Sequence, residues 1–403
     1  MRRIGLVPAC VAAFTAATAC LPAPLDRATG TAGTGDDDPD VWSAEIDGPC
    51  DLDPPAPSGL AVTTTDFATG AVSIARLDPF EVSADVALGS TDAIPFAPPS
   101  LGDRYLYVVH RYMYDRLEIL DREDGYASVA EIPLADSQGP STNPHAIAAG
   151  PDGKLFVTFF GIPAVGVVDP SAPAAVAWED RIDLSALADE DGNPEASHAV
   201  ACGSVLVVSL GRLDADAGFA PRGEDRLVAI DMTTRTLLPG RIDLLGPFPK
   251  QIRRDPSDPT GRTLLVLTTG IERIDLTTGT AAWAVPDTAF AQAGIDHRFL
   301  PQSFDVDASG EMAYVAAYTE DFDEVRLHRV GLDGATPAIP EVFATGFDSV
   351  ERTLEVAGDV LYYGSTNPGA FGLLRFDLRT DPPVPMGEAV STGLPPYALV
   401  ALP

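Results

Sequence analysis

The feature that most constrains the fold of this chain is a strand pattern that recurs about every 50 residues. The cleanest copy, at 144–170, reads PHAIAAGPDGKLFVTFFGIPAVGVVDP. It holds an apolar strand, a Pro-Asp-Gly turn, a second strand, a short loop and a third strand that ends in Asp. Apolar residues alternating at period two between Gly, Pro and Asp turns predict β-strands. Seven second strands align on this pattern, GLAVTTTD, RYLYVVHRY, KLFVTFF, VLVVSLG, TLLVLTTG, MAYVAAYT and VLYYGST.

Units of this length, each with about four strands, are typical of β-propeller blades, which bury both faces only when stacked radially. The first copy starts at its second strand, at 59–66, with no inner strand before it. A lone strand, 396–402, follows the last copy and matches the inner strand of the cleanest copy. We therefore predict an all-β, seven-bladed β-propeller, closed by the C-terminal strand pairing into the first blade.

The segments LYVVHRYMYDRLEILD and PHAIAAGPDGKLFVT resemble the YVTN-type repeats (YncE-like) of bacterial exported proteins. The resemblance covers 58–403 and implies the seven-bladed propeller fold. It does not define a function, because these repeats occur in binding proteins, scaffolds and a few enzymes. The second copy departs from the pattern. Its inner strand would be PFAPPSL, and two adjacent prolines do not fit a central ladder.

The first 19 residues have the pattern of a signal peptide. Two arginines at 2–3 precede an apolar run at 4–17 that is too short to anchor a chain in a bilayer. The run ends in ATAC at 17–20, and small residues before a cysteine resemble the lipobox of bacterial lipoproteins. That motif usually has Leu where this chain has Ala17.

The lipobox resemblance implies cleavage before Cys20 and attachment of lipid to its thiol. Leu21 follows the cysteine, and the resemblance then implies the outer membrane, facing the periplasm or the surface. The alternative is ordinary cleavage near Ala19, which would leave a secreted or periplasmic soluble protein.

Residues 20–57 are rich in Thr, Gly, Ala, Pro and Asp and show no apolar periodicity. This composition predicts a flexible acidic tether between the lipid and a propeller domain at 58–403. Beyond Cys20 two further cysteines follow, Cys50 and Cys202. Export permits a disulfide between them, while two buried free thiols are the other interpretation.

Inner strands of a propeller line the central channel, and their first residues surround one mouth. The repeat alignment assigns this ring to Phe96, His145, His198, Lys250, Gln302, Arg352 and Tyr397. Basic side chains at the mouth of an acidic protein would concentrate an anionic ligand. Arg352 is suited to hold a carboxylate with two parallel hydrogen bonds. The alternative is a ring of solvated or water-bound side chains.

Neither a metal site nor a cofactor site is expected. His145 and His198 lie at matched positions of adjacent copies, but no carboxylate in the ring accompanies them, and Glu195 and Glu351 fit poorly. The sequence contains no Gly-x-Ser-x-Gly, His-Glu-x-x-His or Gly-rich phosphate motif.

The net charge of −33 disfavours nucleic acid as a partner, because it repels the phosphate backbone. We expect a monomeric, lipid-anchored binding module for a protein or envelope component, with membrane contact through the lipid alone. The alternative is an enzyme, a lyase or lactonase acting on a small anion at the channel mouth. Two segments are candidate contact surfaces, Tyr112 and Tyr114 in one loop and the insertion at 212–225.

Overall fold

The computed structural model describes residues 41–52, 56–135, 139–171, 178–214, 220–221, 224–295, 303–319, 321, 323–348 and 351–403. Its regular structure is almost entirely antiparallel β-strand, arranged in seven small sheets around a common axis. The predicted all-β, seven-bladed propeller is confirmed. Each blade is given below from its channel-side strand outward.

Blade 1 contains β31 (Pro396–Leu402), β1 (Gly59–Thr65), β2 (Gly70–Leu77) and β3 (Phe80–Gly89). Blade 2 contains β4 (Ala93–Phe96), β5 (Tyr105–His110), β6 (Arg116–Asp121) and β7 (Ala127–Pro133). Blade 3 contains β8 (Pro144–Ala149), β9 (Leu155–Phe159), β10 (Ala164–Val168) and β11 (Asp180–Asp183).

Blade 4 contains β12 (Ala196–Cys202), β13 (Val205–Leu210), β16 (Arg226–Asp231) and two short strands that both pair with β16, β17 (Thr236–Leu237) and β18 (Ile242–Asp243). A two-stranded insertion between β13 and β16 contains β14 (Leu213–Asp214) and β15 (Ala220–Pro221). Blade 5 contains β19 (Gln251–Arg254), β20 (Thr263–Leu267), β21 (Ile271–Asp275) and β22 (Thr280–Val285).

Blade 6 contains β23 (Ser303–Val306), β24 (Met312–Tyr318), β25 (Val325–Gly331) and β26 (Glu341–Phe347). Blade 7 contains β27 (Leu354–Ala357), β28 (Val360–Ser365), β29 (Gly372–Asp377) and β30 (Val384–Pro385). One short helix, α1 (Asp287–Gln292), follows blade 5, and 3₁₀ turns occur at Pro99–Leu101, Ser185–Leu187 and Leu332–Gly334.

The two ends of the propeller close the ring. β31 pairs antiparallel with β1, with Gly59 opposite Leu402 and Thr63 opposite Ala398. The backbone amide of Ser58 donates to the Leu402 carbonyl at 2.9 Å, which extends the ladder by one residue. This pairing was predicted from the missing inner strand of the first copy. It leaves β1 with a hydrogen-bonded neighbour on both sides and completes the first blade as a four-stranded sheet.

The core lies between the blades. The middle strands are buried on both faces, as in β1, β9, β10 and β13, where every residue is buried. The outermost strands, such as β3, β7 and β26, are largely exposed. Because the two faces of a blade pack against different neighbours, both sets of alternating side chains are apolar in the middle strands.

The inner strand of blade 2 differs from the prediction. It is β4, upstream of the proline pair, while Pro98 precedes the 3₁₀ turn and Pro99 begins it. Phe96 is therefore the last residue of its inner strand, opposite Tyr107, and not the first. The prediction failed because it aligned on a proline, and the proline that matches the pattern lies inside this shorter strand.

Residues 41–52 form a segment that we name the N-terminal strap. Its side chains Trp42, Ala44 and Ile46 are buried in the hydrophobic cluster between blades 4 and 5. The Trp42 indole Nε1 donates to the Leu276 carbonyl at 2.8 Å, and the Cys50 amide donates to the Gly261 carbonyl at 2.8 Å. This part of the predicted tether is packed against the propeller, because it carries apolar residues at alternating positions. Residues 1–40, which include Cys20, lie outside the described residues.

Two glycines allow the strap to approach the blades. Gly279 and Gly203 have φ of +69° and +64°, which a side chain rarely adopts. A Cβ on Gly279 would lie 2.4 Å from that of Trp42, and a Cβ on Gly203 would lie 1.9 Å from Asp47 Oδ1. The strap is also linked covalently to blade 4, because Cys50 and Cys202 form a disulfide across 152 residues of sequence.

We predict that removing this disulfide destabilises the protein without changing the fold. Replacing Cys50 and Cys202 together by Ala should lower the free energy of unfolding by about 2–4 kcal/mol, because the cross-link restricts a long loop in the unfolded chain. Urea unfolding followed by tryptophan fluorescence measures the change. The wild-type protein unfolded in dithiothreitol is the matched control, and an unchanged midpoint in both samples would contradict the prediction.

Candidate functional site

One mouth of the channel opens into a cavity of about 440 Å³, which we name the mouth cavity. Its walls come from the starts of inner strands and from the residues that follow second strands. These two parts meet at one rim because inner and second strands of a blade run antiparallel. The lining residues are Asp92, Arg111, Tyr112, Asn143, His145, Phe160, Ser197, His198, Gly211, Leu213, Phe248, Pro249, Lys250, Glu351 and Arg352.

The structure brings four of the predicted ring residues into this cavity, namely His145, His198, Lys250 and Arg352. Tyr397 lies just behind the wall, where its hydroxyl contacts Arg111 at 2.6 Å. Gln302 lies outside the described residues. Phe96 lines a different and deeper cavity, which follows from its position at the far end of β4.

Three charged residues of the mouth were not assigned to the ring, and they form one network. Arg111 Nε donates to Asp92 Oδ1 at 2.6 Å, and Arg111 Nη2 donates to Glu351 Oε1 at 3.0 Å. The Tyr397 hydroxyl donates to the same Asp92 oxygen at 3.0 Å. Arg111 directly follows strand β5, and the repeat alignment did not find it because that alignment considered only inner strands.

Within the Arg111 network the positive charge of Arg111 is balanced by the carboxylates of Asp92 and Glu351. Burial opposes the charge of Arg111, but Glu351, Tyr397 and Asp92 outweigh it and hold the pKa of Arg111 well above its usual value. Burial likewise opposes ionisation of Glu351, but Arg111 and Lys250 hold its pKa below the usual value. Arg111 therefore joins blades 1, 2 and 7 with its hydrogen bonds already used.

The second group at the mouth consists of His198, Lys250 and Arg352. His198 Nε2 lies 2.9 Å from the Lys250 carbonyl oxygen and 3.1 Å from Arg352 Nη2. Because a carbonyl only accepts, Nε2 must carry the proton that bonds it and then has no lone pair for Arg352. Nδ1 is then the acceptor, within 3.1 Å of Ser197 Oγ and 3.2 Å of Ser209 Oγ.

Arg352 is left without an acceptor for its guanidinium among the described residues. It forms no ion pair there, although it is partly buried. Burial, opposed by the charge of Glu351 and assisted by that of Arg111, lowers the pKa of Arg352 to about 10, so it stays charged at neutral pH. Lys250 is exposed and its ammonium group likewise has no carboxylate partner in the described part of the chain.

His145 and His198 are neutral at pH 7. Burial, together with the surrounding cations, lowers the pKa of each imidazole well below 6.5. The ring of His145 stacks on Phe160, with centroids 4.7 Å apart and planes inclined by 15°. These two rings form one wall of the mouth cavity.

A smaller cavity of about 110 Å³ lies deeper in the channel and shares His198 and Arg352 with the mouth cavity. The N-terminal strap covers its far end with Asp51 and Leu52. The amide of Ser100 in blade 2 donates to Asp51 Oδ1 at 3.1 Å. The strap therefore lies at the end of the inner cavity away from the mouth cavity.

The loop after β5 exposes the two tyrosines predicted as a contact or packing surface. Tyr112 is 59% exposed at the rim of the mouth cavity, and Tyr114 is 44% exposed with its hydroxyl 3.3 Å from Thr91 Oγ1. The other candidate surface, the insertion at 212–225, contributes Leu213 to the cavity wall. Much of that insertion lies outside the described residues.

Two buried carboxyl groups support the walls of the mouth cavity. Glu195 Oε2 accepts the Leu213 amide at 2.8 Å, and Asp225 Oδ2 accepts the Phe248 amide at 2.5 Å. Burial raises the pKa of Glu195 to about 8 and that of Asp225 to about 7. Within the described ranges, no three His, Cys, Asp or Glu side chains are placed to hold a metal ion.

Comparison with known proteins defines the fold alone. No family model and no curated protein matches the chain. Hydrazine synthase of Kuenenia stuttgartiensis has a similar structure, with a TM-score of 0.50 and 15% identity over 83% of this chain and 99% of that chain. A catalytically inactive virginiamycin B lyase of Staphylococcus aureus with quinupristin has a TM-score of 0.50 and 12% identity, over 78% and 94%.

A protein from Lactobacillus plantarum has a TM-score of 0.50 and 12% identity, over 86% of this chain and 100% of that chain. At such identities, shared architecture does not transfer activity, ligand or partner. In the part of the chain that the structure describes, no helix has the length and apolar content needed to cross a bilayer.

We predict that Glu195→Gln stabilises the protein at pH 8 but not at pH 5. In the folded state the carboxyl keeps its proton up to about pH 8, whereas in the unfolded chain it ionises near pH 4.5. Wild-type stability therefore falls as pH rises between these values, by at most about 1.4 kcal/mol per pH unit. Glutamine keeps an acceptor for the Leu213 amide and has no proton to lose.

Urea unfolding at pH 5, 6, 7 and 8 tests this expectation. Glu190→Gln is the matched control, because Glu190 is exposed and lies in the same loop. An advantage of Glu195→Gln that stays constant across this pH range would show that the carboxyl does not titrate as predicted.

Proposed function

We propose that this protein is an exported binding protein that holds a small organic anion in its mouth cavity. The observation that carries the proposal is the Arg352 guanidinium, which is partly buried and has no carboxylate partner among the described residues. Glu351 attracts Arg352 electrostatically but forms its ion pair with Arg111. A partly buried cation without an ion pair of its own is costly, and a bound carboxylate would reduce that cost.

Lys250 supports the same interpretation. It lines the mouth cavity beside Arg352, and only two lysines occur in a chain of net charge −33. A local positive field within an acidic surface concentrates small anions and repels competing polyanions from the rest of the protein. The cavity volume of about 440 Å³ lies in the range that accommodates small organic ligands.

Catalysis on such an anion is the second candidate, and one observation favours it. The imidazole of His145 is neutral, lines the cavity and has no hydrogen-bond partner among the described residues. A neutral imidazole facing a bound anion has the protonation state of a general base. The binding interpretation ranks first because the hydroxyl of Ser197, which lines the cavity, is bonded to His198 and Ser209 and not to His145. Among the described residues no group of three side chains is placed to hold a metal ion.

We predict that Arg352→Gln weakens binding of organic anions by roughly 10- to 100-fold, the usual worth of a charge-assisted hydrogen bond. Isothermal titration with succinate, benzoate and 2-naphthoate measures the loss. Arg379→Gln is the matched control, because Arg379 is 66% exposed and pairs with Asp377 in an outer turn.

Equal affinities of the wild type and the Arg352→Gln variant would contradict the anion site, as would a wild type that binds none of the three acids. Recovering the bound acid after incubation separates the two candidates. Unchanged ligand supports binding, and product formation that is lost in His145→Gln supports catalysis.

We further infer that the chain is a lipoprotein of the bacterial envelope. The support is the ATAC sequence after a short apolar run, the composition of the segment up to residue 40, and the disulfide, which is favoured outside the cytoplasm. The lipid would hold the propeller at the outer membrane. A protein or envelope component, the partner class predicted from the sequence, would then meet the exposed side chains of Tyr112 and Tyr114.

Lipid attachment predicts that Cys20→Ala abolishes membrane association. In bacterial cells the wild-type chain should enter the detergent phase of a Triton X-114 separation, while the Cys20→Ala variant should stay in the aqueous phase. Cys10→Ala is the matched control, because Cys10 lies within the apolar run that cleavage would remove. A wild-type chain found only in the aqueous phase would favour the secreted or periplasmic alternative.

A further inference from the structure

We propose that the mouth cavity selects an aromatic monocarboxylate, a planar ring system that carries one negative charge. This inference rests on the proposed anion site and adds the chemical class of the ligand. Three independent features of the cavity carry it: its aromatic walls, its net charge, and a strained aromatic residue in its rim.

The first wall is the stacked pair of His145 and Phe160. Their rings stack with planes inclined by only 15°, so each covers one face of the other and the pair offers an outer ring face and ring edges to the cavity. Flat π-systems bind other rings in offset-stacked or edge-to-face geometry and gain more than buried area alone provides. A saturated, puckered skeleton of equal size makes fewer contacts with a flat wall.

Other parts of the lining are also apolar and aromatic. Tyr112 lies at the rim, and Leu213 and Phe248 line the wall that faces the insertion. The ring of Tyr112 is 59% exposed, so a ligand would cover apolar surface that is now in water. A ligand in the cavity would therefore contact aromatic rings from more than one blade.

Phe248 occupies a backbone conformation that bulky residues avoid. Its φ is +59°, a region where glycine or asparagine is usual, and such strain costs about 1–3 kcal/mol. The Asp225 carboxylate holds its amide at 2.5 Å and keeps this conformation in place. An aromatic residue at a position suited to glycine is explained if its side chain contributes to the ligand wall.

The charges of the cavity specify a single negative charge. Its lining contains three basic side chains, Arg111, Lys250 and Arg352, against two acidic ones, Asp92 and Glu351, which leaves one positive charge in excess. Since Arg111 already bonds both acids, the free cations lie at Lys250 and Arg352. A dianion or phosphate would gain a second attraction but would also face the two carboxylates.

The site for the carboxylate and the surface for the ring system lie in the same cavity. The carboxylate would lie on the Arg352 guanidinium beside Lys250, and the ring system would extend along His145 and Phe160. His198 contributes no competing charge, because its imidazole is neutral and its Nε2 proton is committed to the Lys250 carbonyl.

Three matched probes test the inference on the full mature chain. They are 2-naphthoate, its saturated counterpart decahydro-2-naphthoate, and the uncharged 2-naphthamide. Isothermal titration should give an affinity for 2-naphthoate roughly three- to tenfold above that for the saturated acid, the usual gain of an aromatic pair. The amide should bind at least roughly tenfold more weakly than 2-naphthoate, because it lacks the charge that Arg352 requires.

Two variants test whether the aromatic side chains of the cavity cause the preference for 2-naphthoate over the saturated acid. Phe160→Leu and Tyr112→Leu should each reduce the ratio of the two acid affinities toward one, with little change for the saturated acid. Tyr112 is exposed, so its variant remains informative even if Phe160→Leu fails to fold. Phe67→Leu is the control, because Phe67 is 68% exposed and lies outside the cavity.

The outcomes are distinguishable. If both acids bind equally and both lose affinity in Arg352→Gln, the aromatic class is overturned while the anion site stands. If inorganic phosphate competes with 2-naphthoate at equal concentration, the single-charge inference is overturned. If no probe binds to the folded wild-type protein, this inference and the proposed function both fail.

Discussion

The pairing of the C-terminal strand β31 with β1 is the interaction on which the rest of the structure depends. It joins two segments that are more than 330 residues apart in sequence, as in the bond from Ser58 Oγ to the Pro403 carbonyl at 2.9 Å. Each blade packs against two neighbours, so an open first blade would expose the apolar faces on both sides of the gap. The closing strand also holds the site, since the Leu399 amide donates to the Arg352 carbonyl at 2.8 Å.

The mouth cavity contains two arginines with opposite roles. Arg111 has a structural role. Its Nε and Nη2 atoms bond Asp92, Glu351 and Tyr397, which connects blades 1, 2 and 7. Among the described residues, the only hydrogen-bond contact of the Arg352 guanidinium is with a protonated ring nitrogen, which does not accept. Burying a charge is tolerated when it is paired, so the first arrangement stabilises the ring and the second creates a binding site.

The N-terminal strap makes the two ends of the channel different, because it lies only at the end away from the mouth cavity. Asp51 and Leu52 cover the inner cavity at its far end, while the Cys50–Cys202 disulfide fixes this segment to blade 4. A ligand therefore reaches Arg352 from the mouth cavity, past Tyr112 and Phe248.

The repeating elements of this fold could be predicted from the sequence. The sequence determined the blade count and the closing strand, because strand periodicity, turn residues and a missing inner strand are local signals that repeat seven times. It also indicated His145, His198, Lys250 and Arg352 at the mouth, since equivalent positions of equivalent strands meet at one rim.

The hydrogen-bond and ion-pair partners of these residues depend on how the blades pack, which the sequence does not reveal. Asp92, Arg111 and Glu351 come from different blades, and contacts across 240 residues leave no pattern in the sequence. The predicted position of Phe96 was wrong because the alignment used a proline that lies inside β4, which begins before it. The sequence predicts a tether where the strap lies, because the strap is held by packing against blades 4 and 5. Repetition determines which strands form, whereas the contacts between non-equivalent residues of the closed ring decide which charges remain free for a ligand.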